Sequence, residues 1–264
     1  MKNLILIKLG GSIITDKKKD FTVREANILR LGKEIKNALK TGSYKVIIGH
    51  GAGSFAHVPA KKFKTKEGLI NKNSLYGMSV TEDAARKLNA IVIKTFLKIG
   101  LPAFSFSPAS FLISDTKVCS KSYLDPVKKA LQIGIIPVVY GDVVIDKVRG
   151  CTIFSTEKIL SILAKEFLKD YKTRIIYCTD TNGVYDQNGK TIEKITMKNF
   201  DKIKKSIIGA KGTDVTGGML HKVEESLKLV KETGIETLII NGEKIGSLTS
   251  ALLGKKVLGT RIAV

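Results

Sequence analysis

The chain has 264 residues, 43% hydrophobic and 26% charged, a composition that belongs to a folded globular protein and excludes a disordered or fibrous one. Its 45 Lys plus Arg against 24 Asp plus Glu give a formal charge of +21, enough to raise nucleic acid or an acidic membrane as partners. The basic residues are spread along the whole chain, however, and the densest clusters, Lys17-Lys18-Lys19 and KKFKTK at 61–66, are short and loop-like, so neither partner is expected; the same field suits an anionic small substrate.

Cys119, Cys151 and Cys178 form no CxxC pair, which fits a reducing compartment and argues against a zinc site. The apolar stretch at the N-terminus is interrupted by Lys8, too early for a signal-peptide core or a membrane span, and a cytoplasmic protein is expected.

Short β-rich runs alternate with longer amphipathic ones, the pattern of a parallel sheet covered by helices on both faces. The first strand, 4–9, ends in Lys8-Leu9-Gly10-Gly11-Ser12, which sets a cation beside backbone free of side chains. Such N–H groups approach an anion closely; the alternative is a snorkelling lysine at an ordinary turn. A helix from about Val23 to Lys40 follows, with Ile28, Leu31, Ile35 and Leu39 inward and Gly42-Ser43 closing it.

Strand 45–49 runs into Gly49-His50-Gly51-Ala52-Gly53-Ser54-Phe55-Ala56-His57. The stretch loosely fits a dinucleotide GxGxxA, but no acidic residue follows at the end of the next strand, so a phosphate-cradling turn remains. His50 and His57 lack a third neighbouring ligand for a metal. A second helix from about Val80 to Ile99, with Leu88, Ile91, Val92, Thr95 and Phe96 inward, precedes strand 102–107. Helix 123–132 and strand 135–141 come next, and VVYGDVVID with KVRGCTIFS reads as a β-hairpin turning between Asp146 and Gly150. Helix 157–169 leads to strand 174–179 and the turn Thr179-Asp180-Thr181-Asn182-Gly183-Val184-Tyr185. After helix 197–206, Thr216 reads as the cap of helix 218–232, with Gly217 and Gly218 in its first turn and Lys222 one turn in. Strand 237–241 and helix 246–253 complete the pattern; there is no internal repeat, no linker and no GxxxxGK[ST] stretch.

The expected fold is α/β, an open three-layer α/β/α sandwich with a mostly parallel central sheet, as one domain over 1–264. KLGGS, GHGAGSFAH, YGD and TDTNGVY each follow an apolar strand, so they gather at the carboxyl edge, where ligands of such sheets bind.

Taken in order, KLGGS with TDK after it, HGAGSFAH, YGD, TDTNGVY, DVTGGM and the ending INGEKIGSLTSALLGKKVLGTRI resemble the amino acid kinase superfamily, and within it the isopentenyl phosphate kinases. His57 in GSFAHVPAK is the discriminating residue, because relatives that act on carboxylates generally lack it while fosfomycin kinases share it. The resemblance implies ATP with Mg²⁺, a small phosphorylated acceptor, a homodimer, and an amino acid kinase-like fold with an acceptor lobe at about 1–170 and a nucleotide lobe at about 171–264. It implies that Lys8 and Lys17 stabilise the γ-phosphoryl group, that Lys222 holds the β and γ phosphates, and that Asp142 holds the lysines in place. Gly10, Gly11, Ser12 and Gly53 would approach phosphate through backbone N–H groups, Asp180, Gly183 and Gly217 would border the nucleotide, and His57 would donate to the acceptor's phosphate. Ala52 and Thr156 would also meet the acceptor, with Tyr76, Met78 and Val80 walling an alkenyl tail; no protein ligand for a metal is assigned.

The chain departs from the family at Ala52, where a glycine is usual, at Thr156-Glu157, where a GD pair is common, and at Leu220, where a lysine is expected. The rival activities are a fosfomycin kinase or a kinase of another small phosphate or phosphonate. From another class comes a nucleotide-binding sensor or storage protein without catalysis.

Overall fold

The computed structural model describes residues 1–209 and 218–264. In chain order come β1 (Lys2–Leu9), α1 (Gly11–Ile14), α2 (Glu25–Thr41), β2 (Tyr44–His50), α3 (Gly53–Lys62), α4 (Ser74–Lys98) and β3 (Ala103–Ser105). They are followed by β4 (Leu112–Asp115), β5 (Val118–Ser122), α5 (Asp125–Ile133), β6 (Ile136–Tyr140), β7 (Asp142–Asp146), β8 (Gly150–Phe154) and α6 (Thr156–Phe167). Then β9 (Tyr171–Thr179), β10 (Lys194–Ile195), α7 (Phe200–Gly209), α8 (Gly218–Thr233), β11 (Thr237–Asn241), α9 (Ser247–Leu252) and β12 (Gly259–Ile262).

The main sheet has the order β10-β12-β11-β9-β1-β2-β6-β3 and is parallel except across the β11–β12 pair. β1 sits inside it between β9 and β2, with Lys8 opposite Tyr177 on one side and Gly49 on the other. Successive side chains of a strand point to opposite faces. Leu4 and Leu6 enter the core layer shared with α5, α6 and α8, while Ile5, Ile7 and Leu9 enter the layer shared with α2, α4 and α9. By that alternation Lys8 falls on the α6 and α8 side, which decides what it faces.

The expected central strands and the β7–β8 hairpin are all present. α1, α3, β4, β5, β10 and β12 were not expected, and α4 starts earlier than expected. β4 and β5 join the hairpin in a second sheet of order β5-β4-β7-β8. Their sequences, LISD and VCSKS, are too short and polar to alternate visibly. α3 occupies what reads as a plain turn, because the segment opens on a glycine and carries Pro59 inside the helix. α4 starts at Ser74 rather than near Val80, since its first turns bury Ser74, Gly77 and Thr81 and so lack an apolar signal. Gly77 packs there against Phe63, where any Cβ would collide with the ring, and Thr81 hydrogen-bonds Thr65 at 3.0 Å.

Candidate active site

The ends of β1, β2, β6 and β9 meet at one edge of the main sheet, joined by short backbone bonds. The N–H of Gly51 donates to the carbonyl of Leu9 (2.9 Å), that of Gly10 to Cys178 (2.9 Å), and that of Gly141 to His50 (3.2 Å). The two glycine turns interlock. A Cβ at Gly11 would lie 2.7 Å from the Cα of Gly53, and one at Gly51 would lie 2.7 Å from the nitrogen of Gly11. Gly53 itself has φ +51°, a left-handed conformation that favours glycine. Thr15 pins the two turns together: its Oγ1 donates to the Gly11 carbonyl (2.8 Å) and accepts from the N–H of Ser54 (3.0 Å). The N–H groups of Gly11, Ser12, Ala52 and Gly53 make no hydrogen bond among the described residues, so they remain available to an anion. Gly10 does not share that freedom, because its N–H is bound to Cys178.

Lys8 is 6% exposed and its ammonium ion-pairs with Glu157, which is 4% exposed. Lys222 stands 3.8 Å from the same carboxylate oxygen and donates to the carbonyl of Gly218 (2.9 Å). One buried anion therefore serves two lysines from distant parts of the chain. Asp142, expected in that role, accepts instead from Ser107 Oγ (3.0 Å) and from the N–H groups of Val143 (2.8 Å) and Ala109 (3.4 Å). The reason is topological: Asp142 opens β7 in the second sheet, whereas Glu157 lies in the first turn of α6, on the face of β1 to which Lys8 points. Glu157 was visible only as a departure from the family pattern. Its local signal was an acidic residue in the first turn of a helix capped by Ser155, whose Oγ accepts from the N–H of Lys158 (3.3 Å).

Burial pushes Lys8 down to about 8, an effect that Glu157 opposes and Lys222 reinforces. Burial alone would raise the Glu157 carboxyl, but the charges of Lys8 and Lys222 overcome it and hold the group below its ordinary range. At Asp142 burial wins, and the carboxyl is raised to about 6.

Lys17 lies 3.6 Å from Asp180, and the contact links the TDK segment to the turn after β9. Both side chains are about half exposed, so the pair contributes little to stability, on the order of 0–1 kcal/mol. His57 is exposed on α3, just beyond the interlocked turns. Thr156, expected at the acceptor, is buried and donates to the carbonyl of His50 (2.7 Å); its hydroxyl ties α6 to β2. Gly183 has φ +111° and packs on Thr260 of β12, which is the structural demand for a glycine there. Gly217, with Thr216 and its expected cap, lies outside the described residues.

The residues expected to wall an alkenyl tail differ in exposure. Tyr76 is 68% exposed with its ring edge-on to Phe63, while Met78 and Val80 are half-buried. Beside the glycine turn, Ala52 packs against a small apolar cluster of Ala56, Ala84, Ala85 and Tyr140. Alanines in helices give no apolar periodicity of their own, so the sequence does not announce this cluster.

A model of the amino acid kinase family matches residues 3–241. The isopentenyl phosphate kinase of Methanocaldococcus jannaschii is 35% identical to this chain, and the alignment covers 98% of each. The isopentenyl phosphate kinase of Methanothermobacter thermautotrophicus is 34% identical over the same shares. Among solved structures, one described as X-ray structures of isopentenyl phosphate kinase superposes with a TM-score of 0.82 at 30% identity, covering 98% of this chain and all of that one.

Proposed function

The chain belongs to the amino acid kinase family, and from that membership we propose that it transfers the γ-phosphoryl group of ATP to isopentenyl phosphate, releasing isopentenyl diphosphate and ADP in the alternative mevalonate route to isoprenoids. The observation that carries the chemistry is the buried Lys8–Glu157 pair, joined by the partly buried Lys222, beside two turns with open N–H groups. Full-length similarity to isopentenyl phosphate kinases carries the choice of acceptor.

Two polyanions have to meet in line while negative charge spreads over the group in transit, so positioning and electrostatic stabilisation supply most of the catalysis. Lys8 and Lys17 face the transferring group, Lys222 holds the β and γ phosphates, and Glu157 keeps Lys8 and Lys222 from repelling each other before the anions arrive. Gly11 and Ser12 offer N–H groups to the nucleotide. Ala52 and Gly53 offer theirs to the acceptor, whose tail rests on the alanine cluster and Tyr140. Asp180 and Gly183 border the nucleotide with Gly217, and Asp142 shapes the acceptor side through Ser107. The acceptor side is built from about 1–170 and the nucleotide side from about 171–264. Among the described residues no three His, Cys, Asp or Glu side chains gather as a metal site, and Mg²⁺ is proposed to enter on the phosphates of ATP. No described helix is long and apolar enough to cross a membrane; the proposed location is the cytoplasm.

ADP release with Mg-ATP and isopentenyl phosphate, run beside fosfomycin and a short alkyl phosphate, tests the proposal. Selective turnover of isopentenyl phosphate is expected. Turnover of fosfomycin alone would overturn the acceptor assignment and keep the kinase chemistry.

His57→Ala is expected to raise the acceptor KM or lower turnover at least about tenfold, a charge-assisted bond being worth about 1.5–3 kcal/mol, with ATP affinity within about twofold. Loss of ATP affinity instead would put His57 on the nucleotide side. A homodimer is also proposed: β3 is an edge strand of the main sheet, and Phe104 on it, with Leu97 at the end of α4, is more than half exposed. Light scattering at micromolar concentration is expected to give twice the mass of the 28.8 kDa chain, and the mass of one chain would refute it.

A further inference from the structure

His50 is fully buried at the end of β2, directly beneath the second glycine turn, and no step of the proposed reaction uses it. Its Nδ1 lies 3.1 Å from the carbonyl oxygen of Gly51. A carbonyl only accepts, so Nδ1 carries the proton. Its Nε2 lies 3.1 Å from Nδ2 of Asn89 on α4, and Oδ1 of Asn89 accepts in turn from Ser105 Oγ on β3 (2.5 Å). The ring stacks on Tyr140, with centroids 5.5 Å apart and planes 17° from parallel. Burial pushes the imidazole down to about 4, so it is neutral at any working pH.

The consequence follows from the trans peptide. In a planar trans unit the C=O of one residue and the N–H of the next point in opposite directions. Holding the Gly51 carbonyl down onto His50 therefore directs the N–H of Ala52 the other way, and that N–H makes no hydrogen bond among the described residues. The same carbonyl, released, would be free to turn toward the site and present a negative dipole to an anion. A glycine peptide rotates easily, so an external hold is needed where the backbone must keep one orientation.

We propose that His50 is a positioning residue for acceptor binding: the chain Ser105–Asn89–His50–Gly51 fixes the His50 tautomer and so aims the Ala52 N–H at the phosphate of the acceptor. This rests on the acceptor side assigned above and names the device that prepares it. It also accounts for a buried histidine and a buried asparagine, from two elements, inside an otherwise apolar layer, with the exposed Ser105 ending the chain of hydrogen bonds.

An amide side chain separates the two ring nitrogens: asparagine places its NH₂ near Nδ1, glutamine near Nε2. His50→Asn keeps the donor to Gly51 and is expected to leave the acceptor KM within threefold of the unsubstituted protein. His50→Gln loses that donor and is expected to raise the acceptor KM at least tenfold with the ATP KM within twofold. The chain has only three histidines, so long-range ¹H–¹⁵N spectra of the unsubstituted protein resolve the tautomer directly. An Nδ1–H signal for His50, unchanged from pH 8 to pH 6, is expected. An Nε2–H tautomer overturns the proposal, and so do Asn and Gln variants that behave alike or that lose ATP and acceptor together. Should the glutamine variant fail to fold, the tautomer decides alone. If the unsubstituted protein turns over no isopentenyl phosphate, the proposed function fails while the spectra still decide what His50 does.

Discussion

Methionine in place of Lys8 lowers kcat at least about a hundredfold and leaves the acceptor KM within about threefold. Lys8 is a buried cation on β1, which pairs with β2 on one side and β9 on the other, the strands that in the proposed reaction carry the acceptor and nucleotide turns. A preorganised donor aimed at developing charge in a dry site is worth about 10²–10³ in rate, and a full positive charge belongs at the upper end. The substitution also strips Glu157 of its nearer partner and leaves Lys222 at 3.8 Å as the remaining counter-ion. Breaking a buried pair costs about 3–5 kcal/mol, and Lys222 reduces that toward the lower figure. Stability and chemistry are separable here. Lys8→Met combined with Glu157→Gln removes both charges, and its urea midpoint is expected to recover most of the loss while turnover stays down. Recovered turnover in the double variant, or normal turnover in the single one, would remove Lys8 from the reaction.

Glu157→Gln moves the alkaline limb of the kcat/KM profile to lower pH. In the free protein Lys8 titrates at about 8, and the charge of Glu157 is what keeps the value from falling further. Without the carboxylate, more of Lys8 is neutral at any pH near 8, and activity there is expected to drop about tenfold or more, with a smaller loss at pH 6.5. A limb at the same pH in both proteins would detach the pH dependence from Lys8. Stability moves in a separate window. The folded Glu157 carboxyl lies at about 2, below the ordinary glutamate value, so its stabilisation is fully present above about pH 4.3 and lost as the pH falls toward 2. Lys8 has the opposite sign: its folded value is below 10.5, so its charged form costs stability below about pH 8, and the cost fades as the pH rises to 10.5. The difference in urea midpoint between the unsubstituted protein and Glu157→Gln is therefore expected to shrink between pH 7 and pH 2.5. A constant difference would mean that the side chain contributes by packing alone.

The central sheet was legible because its strands are buried on both faces and bounded by glycine turns; TLIIN at 237–241 matches β11 residue for residue. Periodicity likewise placed α2, where Ile28, Leu31 and Ile35 are buried as expected. Legibility ended where burial is not apolar. The first turns of α4 bury serine, glycine and threonine, and the alanine cluster beside Ala52 has no pattern of its own. For the site, the glycine turns announced an anion, and Lys8 and Lys222 do converge. The family resemblance implies Asp142 of YGD as their shared anion, whereas Glu157 fills that place. Telling Asp142 from Glu157 requires knowing that β7 leaves the main sheet while α6 returns to it, and that is a fact of topology rather than of any motif.

The interlocked turns also decide where directed evolution of this enzyme has room to work. Glycine at 11 and at 51 answers to the backbone of the opposing turn rather than to any ligand. A library randomised over either turn should return glycine at these two positions whatever acceptor is selected for, and simultaneous randomisation of both turns should not rescue them. Freedom lies one step away. Ala56, Ala84 and Ala85 pack with Tyr140 outside that backbone lock, so new acceptor tails should be won by trading volume among these four side chains while the phosphate-facing turns pass from variant to variant unchanged.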